Sequence, residues 1–466
     1  MVFVLNPGIA SNWTEGCIQC ALVYLAIRIL WLNNSIRTID LRQLTIAEFN
    51  QSGILVTASP PGENGVGCNY LRDILPFLSF EQILCCPVLA DVQQAVLAPD
   101  RKLSQGPVVR LRFESAWRYG PPVLKDLLAL GGFLAKTKPW AARVAKRLLN
   151  EPGVRESDHL VIVLESPQLI LMADSLHQHF QGRMTVIVWD HVDHVLQRFG
   201  HQSIPLKMLR AAFSRVVQNS VSTISVSKAL AEWLQTINPD ACHAVVPAPV
   251  LSHAESRPRT AEQRFVIGFA GSVTAPRELE GLQLALDSVG WRIDGTEIVL
   301  RLTGPRFLLS ARTQRRIEYL GFLPTSAEAI NVLSECDACF LPQPFSPQET
   351  LLARYSFPTK LSTYLAAGRP VIVHAPAYAS IPSAFPASSV SGDCAVGLVS
   401  TDPDPLSLVE CLKQLIQSSK RYEQCVERVA LTRAGYFGAE QCRAELKRAF
   451  PVNATKADCP ARPTKT

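Results

Sequence analysis

The sequence lacks an apolar run that clearly qualifies as a membrane-spanning helix. Its best candidate, residues 17–32, is shorter than the ~20 residues that a span requires and is interrupted by Arg28. The stretch also lacks the basic flank and the small-residue cleavage site of a signal peptide. A buried or surface-docked helix, a helix lying on a membrane and a true span therefore remain open for this segment.

The sequence is also poor in concentrated charge. Its 46 Lys and Arg against 40 Asp and Glu give a formal net charge of only +6, and no basic stripe or nucleic-acid-binding motif occurs. This balance suits an anionic ligand or an anionic membrane surface, and no nucleic acid is expected as a partner. We expect a cytoplasmic protein, with peripheral contact at the inner face of the membrane left open.

Regular cysteine spacing is missing as well. The 13 cysteines are odd in number and scattered, which is untypical of an extracellular disulfide framework. Two C-x-x-C pairs, Cys17/Cys20 and Cys336/Cys339, have no second pair nearby to complete a four-ligand zinc site. We therefore expect reduced, buried thiols and predict no metal site.

What the chain does contain is a repeated order of strand, glycine-containing turn and helix. Short apolar runs without alternation, separated by helical stretches, are typical of a parallel sheet covered on both faces. Two doubly wound α/β domains in tandem are predicted, with a ligand cleft at the carboxyl ends of their strands. The predicted division is an extension of unknown role at 1–50, a first domain at 51–250, a linker at 251–264, a second domain at 265–450 and a mobile tail at 451–466.

The strongest chemical signal is the second-domain segment SFPTKLSTYLAAGRPVIV, residues 356–373. Pro358 suits the start of a helix and Gly368 suits its left-handed end. The N-terminus of such a helix attracts anions because its backbone N–H groups and its dipole point the same way, and Lys360 adds a positive charge. We predict a diphosphate here; an ordinary exposed lysine on a packed helix is the alternative.

The turn AGSVTAPRE, residues 270–278, is a second anion-binding element. Its backbone N–H groups can line a phosphate, with Gly271 permitting close approach. Arg277 is placed in the first turn of the following helix, where it adds positive charge. Any Rossmann-like domain offers such a turn, so the prediction of a diphosphate site depends on its combination with Lys360.

In the first domain the densest polar cluster is WDHVDH, residues 189–194. A strand delivers Asp190 and His191 to its carboxyl end, where they can position an acceptor hydroxyl and accept its proton. We predict both as catalytic groups. A helix cap with surface histidines is the alternative, the D-H-x-x-H spacing also permits a divalent metal ion, and Glu165 at another strand end is a further cleft candidate.

Residues 131–149, GGFLAKTKPWAARVAKRLL, combine basic side chains with Phe133 and Trp140. A basic amphipathic stretch with an aromatic anchor can lie on an anionic bilayer, which would suit a lipid-linked acceptor. A solvated helix face is the alternative.

Taken together, these motifs resemble a known family. The segments that carry the likeness are GFAGS at 268–272, EYLGFLP at 318–324, CDACFLPQPF at 336–345 and FPTKLSTYLAAGRPV at 357–371. They look like the donor domain of the retaining glycosyltransferases of family 4. The resemblance implies the GT-B architecture, two Rossmann-like domains facing a central cleft, and sugar transfer from a nucleotide diphosphate without a metal ion or resident cofactor. The partners it implies are a nucleotide sugar and a glycan, lipid-linked or small-molecule acceptor, as in polysaccharide biosynthesis.

The same resemblance assigns the donor site. Arg277 and Lys360 would act on the diphosphate as charged groups. The other residues expected around the donor are Gly271, Ser272, Gly321, Tyr355, Pro358, Thr359 and Thr363, with Gly65 and Gly67 of the first domain facing it.

Two departures from the family pattern matter. Many members carry two glutamates flanking this helix, one for the sugar hydroxyls and one for the ribose, and here Tyr355 and Thr363 occupy those places. A threonine hydroxyl bonds a ribose more weakly than a carboxylate does. A GT-B protein that binds a nucleotide sugar or glycan without turnover is therefore the alternative function, and a nucleotide-sugar epimerase is a third.

Overall fold

The structure is a computed structural model. It describes residues 52–62, 65–78, 80, 82–89, 103–105, 109–110, 131, 134, 137–151, 154, 159–198, 203–255, 259, 263–304, 316–387 and 391–450. The chain separates into two compact units, Met1–Glu48 and Phe49–Thr466, and the described residues belong to the second. The predictions for residues 1–50 and for the tail at 451–466 lie outside the described residues.

The first domain is built on a parallel sheet. Its described strands are β1 Ser52–Thr57, β2 Gln82–Leu89, β3 Leu103–Gln105, β4 Val109–Arg110, β5 His159–Val163, β6 Arg183–Val188, β7 Ser222–Ser225 and β8 Cys242–Val245. They run in the order β3–β2–β1–β5–β6–β7–β8, with β4 pairing β2. Every residue of β5 is buried, which explains why the four residues after His159 are all apolar rather than alternating.

Helices cover this first sheet. They are α1 Val66–Ile74, α2 Lys138–Asn150, α3 Pro167–Leu176, α4 Val192–Arg198, α5 Ser203–Gln218 and α6 Lys228–Ile237, with a 3-10 turn at Leu75–Phe77. Ser166 and Ser227 each start a helix by accepting a backbone N–H with the side-chain oxygen. Such caps satisfy N–H groups that have no partner within the helix.

The second domain repeats the design with antiparallel additions at its edges. Its described strands are β9 Arg264–Ala270, β10 Arg292–Ile293, β11 Thr296–Thr303, β12 Ile317–Gly321, β13 Ala338–Pro342, β14 Val371–His374, β15 Ser391–Cys394 and β16 Gly397–Ser400. The order is β10–β11–β9–β13–β14–β16–β15, with β12 on β11. Only the β10–β11 and β15–β16 pairs among these strands are antiparallel.

The helices of the second half complete this domain. They are α7 Pro276–Ser288, α8 Ser326–Ser334, α9 Thr350–Tyr355, α10 Lys360–Ala367, α11 Ser380–Ala384, α12 Ser407–Gln417, α13 Ser419–Ala434 and α14 Ala439–Ala449, with a 3-10 turn at Pro347–Glu349. Gly368 ends α10 with φ 70°, the left-handed conformation expected of it.

Helix α14 packs on the other domain. It contacts β7 and β8, and its Glu445 carboxylate accepts the Val245 N–H at 3.2 Å while Arg448 donates to the His243 carbonyl at 2.9 Å. The predicted range 265–450 groups this helix with the second domain, whereas its contacts place it on the first. An amphipathic pattern shows that a helix buries one face, but not against which sheet.

Residues 138–149 of the basic stretch that was considered for membrane contact lie in helix α2, whereas Phe133 and Lys136 lie outside the described residues. Its apolar side, including Val144 and Leu148, is buried and packs with α3. Its outward side carries exposed Lys138, Arg143, Lys146 and Arg147. The buried face of α2 is therefore occupied by the protein core, and charged side chains dominate its outward face, although Leu134 just before the helix is exposed. Among the helices that the structure describes, none is long and apolar enough to cross a membrane.

A buried histidine at the start of β5 makes the fold sensitive to acid. The His159 Nε2 lies 2.7 Å from the Thr185 Oγ1, and its ring packs against Phe80 and Phe450. Burial lowers the pKa of His159 from 6.5 to about 3. Below about pH 6.5 the unfolded chain therefore binds a proton at His159 that the folded chain does not bind. The free energy of unfolding falls as the pH falls.

We expect the wild-type chain to lose about 2 kcal/mol of unfolding free energy from this group between pH 6.5 and pH 5, at about 1.4 kcal/mol per pH unit. Urea unfolding at both pH values, compared with His159→Gln, measures the contribution. The variant should show a shallower decline with pH. Parallel pH profiles for the two proteins would contradict the assignment.

Candidate functional site

Neighbouring turns at the carboxyl ends of β9, β11 and β12 touch one another. The Gly271 N–H donates to the Thr303 carbonyl at 2.9 Å, and the Gly304 N–H donates to the Gly321 carbonyl at 2.8 Å. Gly271 and Gly304 have φ 83° and 130°, which a residue with a Cβ rarely adopts. A Cβ on Gly304 would lie 2.7 Å from the Gly271 carbonyl oxygen. Glycine at 304 therefore allows the two turns to contact each other. This residue was not among the predicted site residues, and the sequence marks it only as a glycine directly after an apolar strand.

Lys360 joins this group of turns to helix α10. It is the first residue of the helix, and its Nζ donates to the Ser272 carbonyl. The Nζ also lies 4.2 Å from the centroid of the Phe269 ring, and a Cβ on Gly271 would be 3.5 Å from the Lys360 Cε. The turn at 270–278 and the helix start, which the sequence indicated separately, are in contact.

The environment of Lys360 weakens its proton affinity. Burial lowers the pKa of its ammonium from 10.5 to about 7, and no carboxylate in the described part of the chain contributes to offset that shift. A desolvated lysine without a nearby anion gains most from an anionic ligand. The position therefore suits a phosphate group.

The start of helix α10 is tight. The Leu361 N–H donates to the Pro358 carbonyl at 3.0 Å, and the Ser362 N–H donates to the Thr359 carbonyl at 3.2 Å. The Thr359 side chain makes no capping bond, and Thr363 one turn further is half-buried. Pro358 and Thr359 thus shape the turn that presents Lys360.

Arg277 is not brought into contact with Lys360. It is exposed in the first turn of α7, and no hydrogen bond or ion pair of Arg277 occurs among the described residues. Its neighbour Glu278 is buried and accepts the Phe345 N–H at 2.8 Å. Glu278 therefore fixes the start of α7 to the end of β13, while Arg277 stays at the rim.

The glycines of the first domain have different positions. Gly65 is exposed just before α1 with φ 118°, but Gly67 lies inside that helix. A Cβ on Gly67 would lie 2.5 Å from the Trp189 ring, so glycine leaves room for the indole. Gly67 is therefore helical and covered rather than part of a loop.

The predicted catalytic pair lies at the end of β6 and faces the second domain. Asp190 accepts a hydrogen bond from the Ser356 Oγ, and the His191 ring stacks on Tyr355 with 4.8 Å between centroids. The His191 Nδ1 accepts the Asp193 N–H at 3.2 Å, which places the ring proton of neutral histidine on Nε2. Burial lowers the pKa of His191, although Asp193 opposes the shift. Of the pair, the Asp190 carboxylate is better placed to accept a proton.

Glu165 has a structural role. Its carboxylate accepts hydrogen bonds from the Thr57 Oγ1 at 2.9 Å, the Ala58 N–H at 2.7 Å and both the N–H and Oγ of Ser59. Burial raises the pKa of Glu165 although these bonds oppose it. The residue holds the turn after β1 and is committed to that turn.

The metal alternative for the D-H-x-x-H spacing finds no ligand cluster in the described ranges. No group of three or more His, Cys, Asp or Glu side chains is arranged there to hold an ion. Asp193 instead pairs with Arg210.

No protein-family model and no curated protein matches the sequence. Solved structures do match the fold. A sucrose-phosphate synthase from Thermosynechococcus elongatus is 12% identical with a TM-score of 0.58, and the match covers 86% of this chain and 98% of that one. An α,α-trehalose 6-phosphate synthase from Burkholderia multivorans is 10% identical with a TM-score of 0.55, covering 86% and 97%.

The Anabaena protein HepE, solved in complex with UDP-glucose, is 13% identical with a TM-score of 0.50, covering 84% of this chain and 98% of that one. At such low sequence identity, these matches show a shared fold and nothing more. The matches agree with the two parallel sheets of this chain. The chain has the two-domain, Rossmann-like GT-B fold.

Proposed function

We propose that this protein is a glycosyltransferase that moves a sugar from a nucleotide-diphosphate donor to a glycan, lipid-linked or small-molecule acceptor with retention of configuration. The observation that carries the proposal is the contact of Lys360 with the Gly271–Ser272 turn at the start of α10. The donor complex of HepE, which shares the fold, supports a nucleotide sugar as the ligand.

In the proposed reaction the bond between the anomeric carbon and the diphosphate oxygen breaks. Lys360 leaves the Ser272 carbonyl and stabilises the charge that develops on the departing diphosphate, and the dipole of α10 adds to this effect at the start of the helix. Exposed Arg277 adds a second cation from the rim of the same edge. The acceptor hydroxyl attacks from the face that the diphosphate leaves, and its proton passes to that diphosphate or to Asp190.

A donor screen tests this proposal. The full chain is titrated calorimetrically with UDP-, GDP- and ADP-sugars, and each donor that binds is assayed for hydrolysis and for transfer to extracted acceptors. Binding with transfer supports the glycosyltransferase. Binding without hydrolysis or transfer supports the binding protein instead, and a new sugar nucleotide formed without an acceptor supports an epimerase.

Donor affinity should depend on pH through Lys360. Because the free lysine has a pKa of about 7 and a bound phosphate raises it, donor binding takes up a proton above pH 7. We expect affinity to be constant below pH 7 and to weaken by up to about tenfold per pH unit above it. Titrations in buffers of different ionisation enthalpy measure the proton uptake directly, and the absence of uptake at pH 8 would contradict this role.

The membrane contact that we propose is electrostatic only. The exposed basic side of α2 can approach anionic headgroups by electrostatic attraction, which suits a cytoplasmic enzyme working on a lipid-linked acceptor. Because the apolar side of α2 is buried, this contact needs no insertion of the helix.

A further inference from the structure

A ladder of stacked groups crosses from one domain to the other. The Arg354 guanidinium lies 5.5 Å from the centroid of the Tyr355 ring, and Tyr355 stacks on His191 at 4.8 Å. His191 contacts Trp233 at 4.1 Å, and Trp233 stacks on Phe213 at 5.6 Å. The ladder thus runs from α9 of the second domain into the buried core of the first, where Phe213 is 1% exposed.

Hydrogen bonds flank the ladder at the domain boundary. The Ser356 Oγ donates to Asp190, and the Ser227 Oγ donates to the Tyr355 carbonyl at 2.7 Å. Ser227 is also the residue that caps α6, the helix carrying Trp233. One serine therefore fixes both the helix under the ladder and the backbone of its central tyrosine.

The second-domain end of the ladder is anchored to its own sheet. Buried Gln343, directly after β13, donates to the Ala353 carbonyl at 3.2 Å and to the Ser380 Oγ at 2.9 Å. The Ser380 Oγ in turn donates to the Ser356 carbonyl at 2.7 Å. Hydrogen bonds within the second domain therefore fix the segment 353–356, and the same segment contacts the first domain.

We infer that this ladder is a clasp between the domains, and that Tyr355 is a positioning residue that holds Asp190 of the first domain against the donor-binding domain. The Tyr355–His191 stack and two part-buried serine hydrogen bonds join the domains through contacts of the chain itself. Such contacts hold groups in place that a ligand would otherwise have to order. Only the catalytic consequence of the clasp rests on the proposed function.

Hydrogen exchange of the full chain tests the clasp without reference to activity. In Tyr355→Ala, backbone amides of α4 and α6 should exchange about tenfold faster than in the wild type, because the domains separate locally more often. Tyr355→Phe keeps the ring and should exchange like the wild type. Tyr378→Ala, at a tyrosine 40% exposed on the second domain, is the matched control. Equal exchange in Tyr355→Ala and Tyr378→Ala would overturn the inference.

Where Tyr355→Ala does not fold, Tyr355→Leu replaces it, since leucine keeps apolar contact but not the stack. Exchange in α4 and α6 equal to that of Tyr355→Phe would then overturn the clasp.

Transfer assays test the catalytic consequence of the clasp. Loss of the tyrosine ring should lower kcat about tenfold and leave the Kd for the nucleoside diphosphate within twofold. A protein with no transferase activity at all would refute the proposed function, and the exchange result would still decide the clasp.

Discussion

Lys360→Ala is expected to lower sugar-transfer turnover by about 10²–10³-fold, the loss typical of removing one preorganised group that stabilises developing charge. Lys360 is the cation that touches the Gly271–Ser272 turn, and burial increases the strength of its interaction with a phosphate. Initial rates with a donor identified by the screen measure the effect. The ratio kcat/KM should fall together with kcat, because the charge on the leaving group is largest in the transition state.

The matched control for this substitution is Lys447→Ala, an exposed lysine on α14 away from the turn. It should retain wild-type turnover. Circular dichroism should show both variants folded, since Lys360 pairs with no carboxylate within the described part of the chain and its removal leaves no such charge unpaired there. Wild-type turnover in Lys360→Ala would remove this residue from the mechanism and leave the diphosphate site without its main support.

Gly304→Ala is expected to destabilise the fold by about 2–4 kcal/mol and to abolish measurable donor binding. A side chain at φ 130° is strained, and its Cβ would lie 2.7 Å from the Gly271 carbonyl oxygen, so one turn must move away from the other. The Gly271 turn carries the proposed phosphate ligands, so its separation from the Gly304 turn disturbs the proposed site. Urea unfolding and donor calorimetry measure the two effects.

Gly290→Ala is the control that distinguishes the cost of backbone strain from the effect of displacing a turn. Gly290 has φ 62°, and a Cβ there meets nothing within 4 Å. This control should cost about 1–2 kcal/mol through conformation alone and leave donor affinity unchanged. If Gly304→Ala binds the donor as tightly as Gly290→Ala does, the contact between the Gly271 and Gly304 turns has no part in the site.

The two positions that depart from the family-4 resemblance have different surroundings in the structure. Tyr355, which stands where many members have a glutamate, has its ring stacked on His191 of the first domain. Thr363 is half-buried on α10 one turn from Lys360. Tyr355 thus makes a contact between the domains, whereas nothing in the described residues explains why Thr363 stands at the other position.

Much of the fold follows from local sequence pattern. The continuous apolar runs of β5, β9, β13 and β14 predict buried parallel strands because each must be covered on both faces. Gly368 after an alanine pair correctly predicts the left-handed end of α10, since a residue without a Cβ adopts that conformation at little cost. The short antiparallel strands β10 and β15 were missed, because two to four residues at a sheet edge carry too little pattern.

Local sequence pattern was thus enough to predict two parallel sheets and the residue types expected at a diphosphate site. Which of these residues meet could be learned only from the folded chain. Lys360 and Ser272 are 88 positions apart and Asp190 and Ser356 are 166 apart, so no local preference relates them. The same holds for α14, whose apolar face the sequence shows but whose partner sheet it does not. Packing between distant segments selects these contacts, because burial depends on what the rest of the chain places opposite each face.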